Sequence, residues 1–120
     1  MGIEGLWKKL NEVVEITSDN QIAVLIPDIA ANELILISLS TALLGHKIKK
    51  FPKETLSREE IFKARGMLSK VTYKSIMNRI GELVKERIVE GKNELKISEV
   101  AARQFIKIRL DKLKTKIKKF

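Results

Sequence analysis

The first sixteen residues repeat apolar side chains at helical spacing, with lysines and glutamates between them. The apolar positions are Ile3, Leu6, Trp7, Leu10, Val13 and Val14. This one-sided spacing predicts an amphipathic helix over residues 3–16. The run from Ile22 to Ile26 is short, continuous and rich in β-branched residues, and Pro27 ends it. It fits either a strand or an extended packed segment, because periodicity alone does not separate these two structures.

The most apolar stretch of the chain predicts a central core helix over residues 29–44. Asp28 is placed to cap the start of this helix, and Gly45 is placed to terminate it. Because apolar residues occur nearly all round the helix, we expect it to be buried on every side. The alternation from Lys47 to Phe51, just before Pro52, is typical of a short edge strand.

The clearest helix start in the chain is at Ser57, which forms a Ser-x-x-Glu capping box with Glu60. This helix is predicted to run to residue 64 or 65, where Gly66 supplies a turn. A second helix is predicted from Val71 to Arg87. Its apolar face consists of Ile76, Ile80, Leu83 and Val84.

A β-hairpin is predicted after this pair of helices. Two strand-like segments flank Gly91-Lys92-Asn93, a short loop made of turn-forming residues. Ser98 is then placed to cap a last helix, which is expected to continue nearly to the C-terminus. No internal repeat, low-complexity tract or linker divides the chain, so its 120 residues are expected to form one domain.

Composition narrows the possible chemistry. The chain has no cysteine and one histidine, His46, so we expect no disulfide, no zinc site and no histidine-based catalytic centre. It has no glycine-rich phosphate loop and no Ser/His/Asp set, so we expect neither an enzyme nor a cofactor. The formal net charge of +9 favours nucleic acid as a partner. Abundant Lys and Glu without Cys are typical of thermophile proteins.

The sequence also bears on location. No apolar run approaches the roughly 20 residues that cross a bilayer, so we expect no membrane span. The N-terminus has acidic residues among its apolar ones and no small-residue cleavage site, which disfavours a signal peptide. We therefore expect a cytoplasmic protein.

The order of elements from Asp28 onward is helix, short strand, helix, turn, helix, hairpin and helix. This order resembles the winged helix-turn-helix family of DNA-binding regulators. The segments that carry the resemblance are SREEIFKARGMLSKVTYKSIMNRIGELVKERIVEG and the hairpin ending ELKIS. The turn GMLSKVT, residues 66–72, is longer than in the tightest members of the family.

The resemblance covers about residues 28–100 and implies a mainly α fold of the α+β class with a small β-wing. On this view residues 1–27 are an N-terminal helix with an extended segment. Residues 28–97 are the winged-helix core, and residues 98–120 are a basic C-terminal helix.

In that family the second helix of the pair lies in the major groove and the wing contacts the backbone. Here the side of that helix opposite its apolar face carries Lys74, Asn78 and Lys85, with Ser75 beside them. The expected DNA-binding residues are Lys70, Thr72, Lys74, Ser75, Asn78, Lys85, Lys92 and Lys96. Lys70 and Thr72 precede the helix, and Lys92 and Lys96 lie in the wing. The alternative is an ordinary solvated helix face, and Tyr73 is interpreted as a packing residue.

The last helix repeats apolar residues at spacings of three and four. These residues are Ile106, Leu110, Leu113, Ile117 and Phe120. The pattern predicts a dimerisation seam, joined by Trp7 of the N-terminal helix, although the seam could also pack on its own domain. Eight basic residues and only two acidic ones lie between residues 98 and 120.

The sequence therefore predicts binding to double-stranded DNA, either sequence-specific or architectural, by a homodimeric transcriptional regulator. The alternative is a winged-helix subunit that contacts other proteins in a replication, transcription or membrane-remodelling assembly. RNA binding is disfavoured because few aromatic residues are available for base stacking.

Overall fold

A computed structural model describes residues 2–66 and 69–117 of the chain, with side chains described as far as residue 114. In chain order the elements are α1 Ile3–Asn11, β1 Val14–Ile16, β2 Ile22–Val24, α2 Ala31–Lys47, α3 Arg58–Lys63, α4 Tyr73–Lys85, β3 Val89–Glu90, β4 Lys96–Ile97, α5 Glu99–Ile108 and α6 Leu110–Ile117. The described part is thus mostly helical with two small antiparallel sheets, β1–β2 and β3–β4. This agrees with the expected mainly α composition of an α+β protein.

Helix α2 is the centre of the core, as its apolar surface predicted. Every residue from Glu33 to Gly45 is buried. Helices α1, α3, α4 and α5 and strands β2 and β4 all contact it. Because water is excluded from all sides of α2, the apolar residues of the other elements find their partners on one shared helix.

The predicted ends of α2 were wrong. The helix is preceded by Ala30, which has no side-chain capping bond, so Asp28 is not its cap. At the other end the helix continues through Gly45 to Lys47. The chain turns only at Lys49, whose φ is 62°, and the Lys50 amide then donates to the Gly45 carbonyl at 2.7 Å. This turn occupies the place of the edge strand predicted from Lys47 to Phe51, which does not form.

Gly45 lies inside α2, where two aromatic side chains approach it closely. A methyl group placed there would lie 2.9 Å from Cβ of Phe51 and 3.0 Å from the ring of Trp7. Trp7 is therefore half-buried against α2 and anchors α1 to the core. The glycine is required by this close contact, and it does not end the helix.

The N-terminal helix is shorter than predicted. It ends at Asn11, and β1 then pairs with β2 in an antiparallel hairpin, with Val14 opposite Val24 and Ile16 opposite Ile22. The helical prediction beyond residue 11 was wrong because the β-branched residues after it gain cross-strand partners. The same pairing shows that the segment 22–24 is a strand.

The predicted capping box at Ser57 is confirmed. The Ser57 hydroxyl accepts from the Glu60 amide at 3.2 Å, and the Glu60 carboxylate accepts from the Ser57 amide at 2.9 Å. Just before it, Leu56 forms an antiparallel bridge with Leu95, so the entry to α3 is joined to the β3–β4 hairpin. The predicted turn over residues 66–72 includes residues 67 and 68, which lie outside the described part of the chain.

The predicted hairpin forms with shorter strands and a longer loop. Val89 lies opposite Ile97, and Glu90 lies opposite Lys96. Gly91 has a φ of 110°, and a Cβ at this position would lie 2.0 Å from the Glu94 carbonyl oxygen. Only glycine fits this conformation, so the loop begins where the sequence placed it.

The C-terminal segment is two helices and not one. The break is at Arg109, which has a φ of −107° and an Nη2 atom 2.7 Å from a carboxylate oxygen of Glu33 in α2. Helix α6 packs beside α1, where Lys9 lies 3.6 Å from Asp111 and Lys114 pairs with Glu12. The bend therefore keeps both helices on the surface of the same domain.

We expect Gly45→Ala to lower the free energy of unfolding by about 1–3 kcal/mol, because the new methyl group meets Trp7 and Phe51. Gly81→Ala is the matched control, since it lies within α4 and a Cβ there meets nothing within 4 Å. That variant gains helix propensity without a clash and should be more stable by about 0.5–1 kcal/mol. Urea unfolding of both variants tests this expectation, and equal stabilisation would contradict the close packing at Gly45.

Candidate nucleic-acid interface

The candidate interface starts at the N-terminus of α4. The Thr72 hydroxyl accepts from the Ser75 amide at 3.1 Å, and the Ser75 hydroxyl donates to the Thr72 carbonyl at 2.9 Å. These bonds fix the first turn of the helix. No acidic residue lies in that turn, so the positive end of the helix is not neutralised locally.

Helix α4 is sharply two-sided. Ile76, Ile80 and Leu83 are buried against the core. The predicted DNA-binding residues on this helix and just before it are all exposed, namely Lys70, Thr72, Lys74, Ser75, Asn78 and Lys85. Their placement follows from the helical period, since residues opposite a buried face must point to solvent.

The second half of α4 and the residue after it include acidic side chains. Glu82 and Glu86 are exposed there, close to Lys85. Arg79 is held at the flank, where its Nε atom donates to Asn32 at 2.8 Å and its guanidinium lies 3.4 Å from Glu82. Acidic groups would repel phosphates, so an anionic ligand is better accommodated at the first half of this helix.

A cluster that the sequence did not predict lies between α3 and α4. The rings of Phe62 and Tyr73 meet edge to face, with centroids 5.5 Å apart and an interplanar angle of 82°. The Arg65 guanidinium carbon lies 4.1 Å above the Phe62 ring. We call Phe62, Arg65 and Tyr73 the aromatic–arginine cluster.

Tyr73 was interpreted from the sequence as a packing residue, and it remains 43% exposed. It packs on Phe62 along one edge while much of its ring faces solvent. Two exposed lysines, Lys63 and Lys70, lie between Phe62 and Tyr73 in the chain. No sequence signal indicated this cluster, because Arg65 lies beyond the end of α3 and Tyr73 is the first residue of α4.

The two predicted lysines of the β3–β4 hairpin differ in their surroundings. Lys92 is exposed, and its backbone carbonyl accepts from the Arg58 guanidinium. Lys96 is only half-exposed and forms a 3.1 Å ion pair with Glu54. Lys96 is therefore already engaged within the protein, whereas Lys92 is exposed in the loop.

The loop of the hairpin is held by a second group of polar contacts. Lys53 Nζ lies 2.7 Å from Glu60 and 2.9 Å from Glu94, and the Thr55 hydroxyl donates to Glu94 at 2.8 Å. We call Lys53, Glu60 and Glu94 the hairpin clamp. It connects the start of α3 to the hairpin loop, so the two cannot move independently while these contacts persist.

The clamp perturbs the ionisation of its members. Partial burial by itself would raise the pKa of Glu60, but hydrogen bonds from Lys53 and the Ser57 amide, together with the Lys53 charge, lower it overall. Burial would lower the pKa of Lys53, but its hydrogen bonds to Glu60 and Glu94 and their charges raise it overall. Both shifts favour the charged pair.

The predicted C-terminal seam lies largely inside the domain. Ile106 and Leu110 are fully buried, and Leu113 is 7% exposed. Ile117 lies in α6 with its side chain outside the described part, and Phe120 lies outside it entirely. The described seam residues thus fill the core of their own chain, which is the alternative to a dimer seam, and Trp7 packs on Gly45 while staying partly exposed.

Helix α5 has a different outward face. Val100 is 68% exposed and Ile108 is 65% exposed, and each lies one turn from Gln104 on the same side of the helix. Beside them is a shallow groove of about 260 Å³ lined by Leu36, Ile88, Ala101, Gln104, Phe105, Ile108 and Arg109. Exposed apolar residues gathered in this way are typical of protein contact surfaces.

Two features are absent from the described residues, a membrane-spanning helix and a metal-binding group of side chains. Over residues 2–66 and 69–117, no helix combines the length and apolar character needed to cross a bilayer. Within that same part of the chain, no group of three or more His, Cys, Asp or Glu residues is placed to hold a metal ion.

Comparison with known proteins yields no relative for this chain. No protein-family description, no curated protein and no solved structure matches it.

The hairpin clamp predicts how stability depends on pH. Because the pKa of Glu60 is lowered in the folded protein, its contribution is present above the ordinary value of 4.5 and is lost as the pH falls through the folded value. The pKa of Lys53 is raised, so its contribution is present below 10.5 and is lost as the pH rises through the folded value. We expect Glu60→Gln to destabilise the protein between these limits and to converge with the wild type in acid.

Glutamine at position 60 can still accept from the Ser57 amide, so this variant keeps the capping box and removes the charge. Urea midpoints at pH 7, 4 and 3 measure the difference. Glu59→Gln is the control, because it makes the same charge change at an exposed neighbour on α3. A constant difference between Glu60→Gln and wild type at all three pH values would contradict the clamp.

Proposed function

We propose that this protein binds double-stranded DNA as a winged helix-turn-helix domain, with α4 in the major groove and the β3–β4 hairpin against the backbone. The proposal is supported by the succession of α2, α3, α4 and the hairpin, with Leu56 bridged to Leu95 as a short additional strand. That succession matches the family that the sequence resembles.

The proposal rests mainly on the polar residues exposed along the first half of α4 and just before it. Lys70 and Lys74 expose positive charge there, and Asn78 exposes an amide one turn further along the same face. Lysine bonds guanine acceptors or phosphates, and asparagine pairs with the N6 and N7 edge of adenine. A helix end free of acids, with donors of both kinds, is suited to an anionic duplex.

The other residues take supporting roles. Lys70 and Lys92 are assigned to phosphates, which set affinity and register without reading sequence. The hydroxyl oxygen of Thr72 accepts the bond from the Ser75 amide, so the hydroxyl hydrogen is still available to donate to a phosphate. Lys85 is assigned a backbone contact at most, because Glu82 and Glu86 lie beside it.

We expect Lys74→Ala/Asn78→Ala to weaken binding to a mixed-sequence duplex by at least tenfold and to reduce the slope of log K against log salt by about 1. The loss follows from removing one phosphate-binding or guanine-binding charge and one base-reading amide. Fluorescence anisotropy of a labelled duplex, titrated with protein at salt concentrations from about 50 to about 300 mM, measures both the affinity and its salt dependence.

Lys8→Ala/Asn11→Ala is the matched control, because it removes the same residue types from exposed positions of α1. It should retain nearly wild-type affinity if α4 is the contact surface. Absence of duplex binding at low salt, or equal losses in both double variants, would reject the assignment of α4.

A second candidate function is protein contact through the outer face of α5, and the exposure of Val100 and Ile108 favours it. This face takes over the role that the sequence assigned to the buried C-terminal seam. It would serve the predicted homodimer or another protein subunit. The two candidates are compatible, since α4 and α5 are separate helices on α2.

If the face forms a homodimer, the wild-type protein should sediment as a dimer at a concentration on the order of tens of micromolar, as expected for a small interface. Val100→Ser/Ile108→Ser should be monomeric at the same concentration, because the exposed apolar area is removed. The substituted side chains are solvent-exposed, so the fold should be retained. A wild-type monomer would remove the homodimer, and a dimer that persists in the double variant would place its interface elsewhere.

A further inference from the structure

The aromatic–arginine cluster has a feature that phosphate binding does not explain. Tyr73 is the first residue of α4, immediately after the capping Thr72, and its ring is 43% exposed. This exposed ring, close in the chain to the exposed Lys70 and Lys74, is available to a ligand. Lys70, Lys74 and Asn78 share the same end of the helix.

The Tyr73 ring is positioned by contacts within the protein itself. Its ring is held edge to face by Phe62, and Phe62 is in turn covered by Arg65. Arg65 also donates to the Ser69 carbonyl at 3.4 Å, and the buried Ser69 hydroxyl accepts from the Val71 amide at 3.3 Å. The chain entering α4 and the ring of its first residue are therefore held by one set of contacts.

The edges of paired bases offer only one apolar group to such a ring. In an intact duplex the faces of the bases are stacked on each other, so they are not available to an aromatic side chain. Donors and acceptors line the major groove, and its one apolar substituent is the C5-methyl group of thymine. A tyrosine ring at the groove-facing end of a helix is complementary to that methyl group.

We propose that Tyr73 is a specificity-determining residue that contacts the C5-methyl group of thymine and gives the protein a preference for A·T pairs beside the bases read by Lys74 and Asn78. This inference rests on the proposed duplex binding and adds the base class that the site prefers. Phe62 and Arg65 are positioning residues, because Phe62 meets the Tyr73 ring edge to face and Arg65 covers the Phe62 ring.

The test uses two alternating duplexes of equal length that differ by one methyl group per A·T pair, poly(dA-dT) and poly(dA-dU). The wild-type protein should bind the thymine duplex about fourfold more tightly, the effect expected for burying one methyl-sized group. Tyr73→Ala should bind both duplexes equally. Tyr73→Phe should keep the preference, because it retains the ring and lacks only the hydroxyl.

The ratio of the two affinities is the decisive quantity. It is measured within one protein preparation, so partial unfolding of a variant changes both affinities equally and leaves the ratio intact. Lys74→Ala is a further control that should weaken binding to both duplexes while the fourfold ratio persists, about the same as in wild type.

Several results would overturn the inference. Equal wild-type affinity for the two duplexes would show that no methyl group is read, while salt-dependent binding to both would leave the proposed function standing. Loss of the thymine preference in Tyr73→Phe would assign that preference to the hydroxyl and not to the ring. Tighter binding to single-stranded poly(dT) that requires Tyr73 would assign the ring to base stacking. Absence of binding to every duplex would reject the proposed function itself.

Discussion

The burial of α2 is the constraint on which the other elements depend. A helix that is apolar on every side is unstable in water until each side is covered, and four helices and two strands of this chain cover it. Each of those elements packs apolar residues on α2. The outward face of α4 is polar as a result, whereas that of α5 includes Val100 and Ile108. Helix α4 is the clearest case, because burying Ile76, Ile80 and Leu83 leaves Lys74 and Asn78 exposed together. The candidate interface is thus a consequence of how the core is filled.

Features encoded within a few residues could be predicted from the sequence. The capping box at Ser57 depends on contacts three residues apart, and the exposed side of α4 depends on the helical period alone. Features that depend on distant partners could not be predicted. Val14 leaves a helical pattern because Val24 pairs with it, and Gly45 is needed because Trp7 and Phe51 approach it. The C-terminal seam had the spacing of a dimer interface, but the same spacing suits packing on one's own domain.

The same division applies to the site. The exposure of the α4 lysines followed from their positions, whereas the pairing of Lys96 with Glu54 required the folded arrangement of the hairpin. The aromatic–arginine cluster joins residues of α3 and α4 across a turn, so its members have no common pattern in the sequence. Side chains that act through tertiary contacts are therefore the part of such a surface that sequence reasoning misses most readily.

The bridge between Leu56 and Leu95 and the hairpin clamp have a geometric consequence for any duplex bound by both α4 and the hairpin. Because the entry to α3 is joined to the hairpin, and α3 packs against α4, the two contacting parts are held at a fixed offset. On the proposed mode of binding, this offset would set the groove width that the domain accepts. A B-form duplex presents a wide major groove beside its backbone, whereas an A-form duplex presents a deep and narrow one. The domain would thereby distinguish the two helical forms by shape, before any base is read.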